Sequence, residues 1–165
     1  MIDTLAQRTE IRAFKASDLV WIMAEGVKEF GLRFLPDEKI DELAQAREDN
    51  GKCITGLVDG VIVGCGGIDE LWPGVGEVWI MLSYEVDKYP IRSYEVIRQG
   101  LLELIEHNNL WRVQAWGRVG FAASHTLFRH LGFKVEGKAE MYAPDGVDCL
   151  LYARINRNVR VDRLI

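Results

Sequence analysis

The chain has 165 residues, 20 basic against 25 acidic side chains, a formal net charge of -5 and 48% hydrophobic residues. That composition suits one globular domain of roughly 100–200 residues, able to bury a core without disulfides or metal. It argues against a membrane partner, since no apolar run (the longest resemble Leu19–Ala24 and Val78–Leu82) nears the roughly 18 residues of a span. The acidic balance argues against a nucleic-acid partner. Met1–Glu10 lacks the basic flank and apolar stretch of a signal peptide. Cys53, Cys65 and Cys149 are an odd, scattered set without a CxxC pair, so neither zinc nor a disulfide framework is indicated and a reducing, cytoplasmic setting is expected.

The predicted elements alternate between strand and helix. Glu10–Lys15 alternates as a half-buried strand does. Ser17 is placed to cap a helix with Asp18 in its first turn and Leu19, Ile22, Met23, Val27 and Phe30 on one face. After a loop at Gly31–Pro36, a second helix runs from Asp37 to about Asp49, with Ile40, Leu43 and Ala44 inward. Strands Cys53–Val58 and Val61–Ile68 flank Asp59-Gly60, a two-residue hairpin signal. Trp72-Pro73-Gly74 is a loop, and Glu77–Leu82 is nearly continuously apolar, as in a covered sheet. Pro90–Asn109 is the longest helix, with Tyr94, Ile97, Leu101, Leu104 and Ile105 inward. Strand Arg112–Gly117 and helix Ala122–Leu131, ended by Gly132, follow. Strands Phe133–Tyr142 and Val147–Ile155 close the chain around Pro144-Asp145-Gly146. The order β-α-α-β-β-β-α-β-α-β-β defines an α/β fold with a mixed, mostly antiparallel sheet flanked by helices.

Several residues in this order resemble the GNAT acyltransferase superfamily over roughly Glu10 to Ile155. The segment Phe121-Ala122-Ala123-Ser124-His125-Thr126-Leu127-Phe128-Arg129-His130-Leu131-Gly132-Phe133 looks like the family's late helix, although Phe121 stands where asparagine is usual. The Gly64-Cys65-Gly66-Gly67 run, the Glu77-Val78-Trp79-Ile80 strand and the Asp145-Gly146 turn also fit. The Leu-Trp-Pro-Gly segment at Leu71–Gly74 and the late Asp-Gly turn are similar to GNAT-like proteins of phage and prophage gene clusters. The resemblance implies a domain over residues 1–155 followed by a basic tail at 156–165. It also implies an acetyl-CoA co-substrate and a small-molecule or protein amine acceptor.

Under that resemblance the cofactor's pantetheine pairs with the strand edge at Ile80, Met81 and Leu82, whose amides hold it and polarise the thioester carbonyl. Its pyrophosphate sits at the next helix N-terminus, where orphan N–H groups and the helix dipole favour an anion. The family's glycine-rich turn is replaced here by Asp87-Lys88-Tyr89-Pro90-Ile91-Arg92. Pro90 removes a donor, Arg92 adds bulk and Asp87 adds negative charge. Lys88, Arg92 and Ser93 are the compensating candidates. Phe121, Ser124 and Phe128 of the late helix complete the implied cofactor set.

Phe128 stands where many relatives carry the tyrosine that protonates the departing thiolate. Phenylalanine cannot donate, so Tyr142 or Ser124 would have to substitute. The attacking amine must lose a proton, and Glu77, where the family often carries a glutamate, is the candidate base. It is equally readable as a solvated strand-entry carboxylate. Asp69 and Glu70 are read as a polar rim, His107, His125 and His130 as non-catalytic and without metal-ligand spacing, and Cys65 as a small buried residue. Trp79, Trp111 and Trp116 are assigned to the core; Trp72 either covers a substrate mouth or caps the sheet.

Arg154, Arg157, Arg160 and Arg163 recur every three residues. They form a solvated tail, or a docking strand with Val159 and Val161 on one face, or an anion-binding arm used in self-association as a homodimer. Two functions follow: an N-acyltransferase working by direct attack through a tetrahedral intermediate, or a GNAT-fold interaction or virion-associated protein that has lost acetyl transfer.

Overall fold

The computed structural model describes residues 6–25 and 36–159. Its elements are β1 (Thr9–Ala13), α1 (Ala16–Glu25), α2 (Asp37–Asn50), β2 (Cys53–Val58), β3 (Val61–Trp72), β4 (Val75–Leu82), α3 (Pro90–His107), β5 (Arg112–Arg118), α4 (Ala122–His130), β6 (Lys134–Ala139) and β7 (Cys149–Ile155). A 3-10 turn spans Tyr84–Asp87. The element order is the one predicted. The seven strands hydrogen-bond in the order β1-β2-β3-β4-β5-β7-β6, with β4 parallel to β5 and β1–β2, β2–β3, β5–β7 and β6–β7 antiparallel. This is the mixed, mostly antiparallel α/β fold expected.

The chain falls into two compact units, Met1–Gly67 with Ile80–Glu103, and Ile68–Trp79 with Leu104–Ile165. The first packs Val58, Val63 and Val96 into a core, with Ile11, Val86 and Tyr89 against it. Asp59 and Gly60, at φ 50° and 78°, make the hairpin between β2 and β3. Gly64 is needed for close approach: a Cβ there would lie 2.8 Å from the Met81 carbonyl oxygen, so no side chain fits between β3 and β4. Asp18 is 4% exposed. It accepts both Arg12 Nη groups at 2.7 and 2.9 Å, the Thr55 hydroxyl at 2.6 Å and the Lys15 amide at 3.0 Å. Burial pushes the Asp18 carboxyl up, but the bonds from Arg12, Thr55 and Lys15 outweigh it and hold it below its ordinary value.

In the second unit, Val113, Ala115, Phe128, Leu131, Phe133 and Tyr152 are buried. The Phe128 ring lies 5.6 Å from Phe133 and 4.9 Å from Tyr152, centroid to centroid. The end of α4 is closed by bonds from Gly132 N to Arg129 O and from Phe133 N to Phe128 O, with Gly132 at φ 84°.

Several boundaries differ from expectation. Helix α1 starts at Ala16, so Ser17 lies inside it; Glu48 Oε2 accepts the first-turn Ala16 amide at 2.6 Å, and the Asp18 carboxylate reaches back to the Lys15 amide. Strand β3 runs past Ile68 to Trp72, because Pro73 and Gly74 alone make the turn. Gly74 adopts φ 85°, and the Trp111 ring fills the space a side chain would need. Strands β6 and β7 end further from each other than predicted, since residues 140–148 form a bonded loop. Val96 and Ser93, not Tyr94 and Ile97, are the buried residues early in α3. Residues 77–80 of β4 are half-buried rather than covered, and Trp79, Trp111 and Trp116 are half-buried rather than core. Val27, Phe30, most of the Gly31–Pro36 loop, Arg160, Val161 and Arg163 lie outside the described residues.

Candidate functional site

Glu77 sits on the last rung of a short parallel ladder, Val75↔Arg112, Gly76↔Val113 and Glu77↔Gln114, although β4 continues to Leu82 and β5 to Arg118. Strand alternation puts Gln114 and Trp116 on one face of β5. Both donate to Glu77 Oε2, Gln114 Nε2 at 3.0 Å and the Trp116 indole N–H at 3.2 Å. Glu77 Oε1 takes no hydrogen bond from the described residues. Tyr142 stacks on Trp116, with centroids 4.2 Å apart and 22° between planes. Burial, then the nearby Glu77 and Cys149 charges, push the Tyr142 hydroxyl above its ordinary value, so it keeps its proton at neutral pH.

Tyr142 is carried by the loop between β6 and β7, which its own polar groups fasten. Arg118 forks onto Asp145, with Nη1 to Oδ1 at 2.7 Å and a second bond from Nη2 to Oδ2. Asp148 accepts the Met141 amide at 2.9 Å and pairs with Lys138 at 2.8 Å. The Pro144-Asp145-Gly146 turn forms as expected, with bonds from Gly146 N to Ala143 O and Ala143 N to Val147 O.

The late-helix candidates are committed elsewhere. Ser124 is buried and donates its hydroxyl to the Phe121 carbonyl at 3.0 Å. Phe121, half-buried, precedes α4, and Phe128 belongs to the aromatic core. Of the two substitutes for the missing tyrosine, Tyr142 therefore has its proton free and Ser124 does not. His125 lies between two oxygens, Nε2 2.8 Å from the Arg118 carbonyl and Nδ1 2.6 Å from the Tyr152 hydroxyl. A carbonyl only accepts, so Nε2 carries a proton and donates to the Arg118 carbonyl. Asp69 and Glu70 are exposed at the end of β3, and His107 is exposed in the last turn of α3. Burial pushes the Cys65 thiol far up, away from nucleophilic use.

The other candidates belong to the first unit. Ile80 and Leu82 are half-buried and Met81 is buried. Ser83 then bonds back to Ile62 O at 2.9 Å and caps the 3-10 turn through the Glu85 amide. Lys88 and Arg92, the cations expected to face phosphate, are spent locally: Lys88 pairs with Glu85 at 2.9 Å and Arg92 with Glu95 at 2.7 Å. Both are surface pairs, readily exchanged for a stronger anion. Pro90 has no N–H and Ser93 N bonds Tyr89 O, which leaves the amides of Ile91 and Arg92 as first-turn donors. Ser93 is 2% exposed and its hydroxyl has no hydrogen-bond partner among the described residues. A buried hydroxyl without a partner costs free energy, and one in the first turns of a helix fits a bound anion. The residues present therefore fit the cofactor's phosphates.

Known structures define the class of fold first. The chain has the fold of the GNAT acetyltransferases. An acetyltransferase of the GNAT family from Bacillus anthracis is 16% identical, with 90% of this chain and 95% of that one covered at a TM-score of 0.69. A ribosomal-protein-alanine N-acetyltransferase from Brucella melitensis is 22% identical, covering 89% and 99% at 0.67. The Salmonella typhimurium protein yncA, solved with its cofactor acetyl-CoA, is 14% identical, covering 94% and 99% at 0.73. No family model matches the chain, and no curated protein matches it. Among the described residues no group of His, Cys, Asp or Glu could hold a metal ion, and no helix is long and apolar enough to cross a membrane.

Proposed function

We propose that the chain is a GNAT-type N-acyltransferase that moves an acetyl group from acetyl-CoA to a small-molecule or protein amine by direct attack. The observation that carries the reading is Glu77, at the end of the β4–β5 ladder, with Oε2 tied by Gln114 and Trp116 and Oε1 left over. Acetyl-CoA, when bound, supplies an acyl group activated as a thioester. Glu77 Oε1 takes the proton of the incoming ammonium, which gives the neutral amine its lone pair. Tyr142 keeps its O–H and would donate its proton to the thiolate as the C–S bond breaks, regaining a proton from the new amide nitrogen. The Ile91 and Arg92 amides, the Ser93 hydroxyl, and Lys88 and Arg92 released from Glu85 and Glu95 would hold the phosphates. The backbone of Ile80, Met81 and Leu82 holds the pantetheine arm.

A thiol-release assay across a panel of primary amines tests this. Glu77→Gln keeps the side-chain shape and should lower kcat by about 10²-fold or more. Unchanged turnover in Glu77→Gln removes Glu77 as base. Failure of every amine, together with no acetyl-CoA binding, leaves the chain a GNAT-fold interaction protein.

A further inference from the structure

We propose that Gln114, itself locked by Arg112 and Glu136, is the positioning residue that presents Glu77 for proton transfer. The inference rests on the acyltransferase reading for its activity readouts. Strand β6 pairs Lys134↔Ala153 and Val135↔Tyr152, then slips to Gly137↔Leu151, so Glu136 is one residue too many for the ladder. A bulge of this kind re-aims its side chain, and Glu136 meets the Arg112 guanidinium through two bonds, Nη1 to Oε1 at 3.0 Å and Nη2 to Oε2 at 2.6 Å. The same guanidinium gives Gln114 Oε1 two longer contacts, from Nη2 at 3.2 Å and Nε at 3.4 Å.

This arrangement removes a choice from Gln114. A free glutamine amide can sit with either its oxygen or its nitrogen toward a neighbour. Arginine has only donors, so the oxygen must face Arg112 and the NH₂ must face Glu77. Turned the other way, the amide would set a carbonyl against the Glu77 carboxylate and N–H groups against a guanidinium. The chain from Glu136 through Arg112 to Gln114 thus delivers one N–H to Glu77 Oε2 and fixes the carboxylate's rotation. Trp116 supplies the second bond to the same oxygen, and Oε1 is kept for the substrate.

The Trp116 indole N–H resonance, assigned with Trp116→Phe, reports Glu77 without any assay of turnover. Gln114→Leu should shift it and lower kcat about tenfold, the effect of one hydrogen bond to a charged group, with KM for acetyl-CoA within about twofold. Glu136→Gln changes an exposed side chain and should give a smaller loss in the same direction. In a Glu77→Gln background, Gln114→Leu should cause no further loss, because Gln114 acts through Glu77. An unmoved indole resonance in Gln114→Leu, or an equal loss of kcat in both backgrounds, overturns the proposal. Full activity in Glu77→Gln alone would instead defeat the base assignment, with the indole shift still deciding whether Gln114 orients the carboxylate.

Discussion

At Tyr142 two effects act on one hydroxyl. Stacking on Trp116 removes part of the ring from water, and the Glu77 charge lies close by, so the phenol holds its proton more firmly than a free one. An acid must be protonated to work, so the basic limb of the pH–rate profile should fall above pH 10, the ordinary tyrosine value. Tyr142→Phe keeps the stack and should lower kcat by about tenfold or more and abolish that limb. A basic limb unchanged in Tyr142→Phe would exclude this tyrosine as the acid. Little of this cluster was legible in the sequence. Glu77 was singled out by family resemblance, but Gln114 and Trp116 stand 37 and 39 positions away. Only the strand register brings them to the carboxylate, and Trp116 read alone looks like a core residue. Tyr142 was legible as a candidate acid but not as a better one than Ser124, because that choice depends on where the Ser124 proton points.

Among the elements, Asp18 ties three together: β1 through Arg12, β2 through Thr55 and its own helix α1 through the Lys15 amide. Removing the carboxylate leaves Arg12 and Thr55 without their partner, and Asp18→Ala should cost about 3 kcal/mol in denaturant unfolding. The pH dependence has a definite sign. The folded carboxyl titrates below its unfolded value of about 3.9, so its stabilisation is complete above that pH and is lost as pH falls through the lower folded value. The midpoint of wild-type unfolding should therefore drop between pH 5 and 2 (approximate limits) more steeply than that of Asp18→Asn. Parallel curves would contradict this. The sequence announced Asp18 as a first-turn acid favoured by the helix dipole; its burial was hidden, because Thr55 lies on another strand and arginine ordinarily reads as solvated. Element ends were hidden for similar reasons. Trp72 is 60% exposed at the end of β3, where its bulk beside a proline looks like loop, yet the compact Pro73-Gly74 turn lets the strand run on.

For the molecule as a whole, the order of strands and helices was legible almost entirely. Each element carries its own period, and Asp59-Gly60, Pro73-Gly74, Gly132 and Asp145-Gly146 mark where the chain turns. The net charge of -5 argues against a nucleic-acid partner. Locally the balance differs, for Lys88 and Arg92 flank the start of α3, and the buried Ser93 hydroxyl in its first turn has no partner among the described residues. Thermal unfolding with and without acetyl-CoA reports whether the proposed co-substrate binds. At about 100 times its dissociation constant, a ligand that binds only the folded chain stabilises it by roughly 2.7 kcal/mol, which for a chain of this size raises Tm by about 5–10 °C. A rise of that order, reduced in Ser93→Ala, is the expected result; an unchanged Tm at millimolar acetyl-CoA would contradict acyl-CoA binding by this chain.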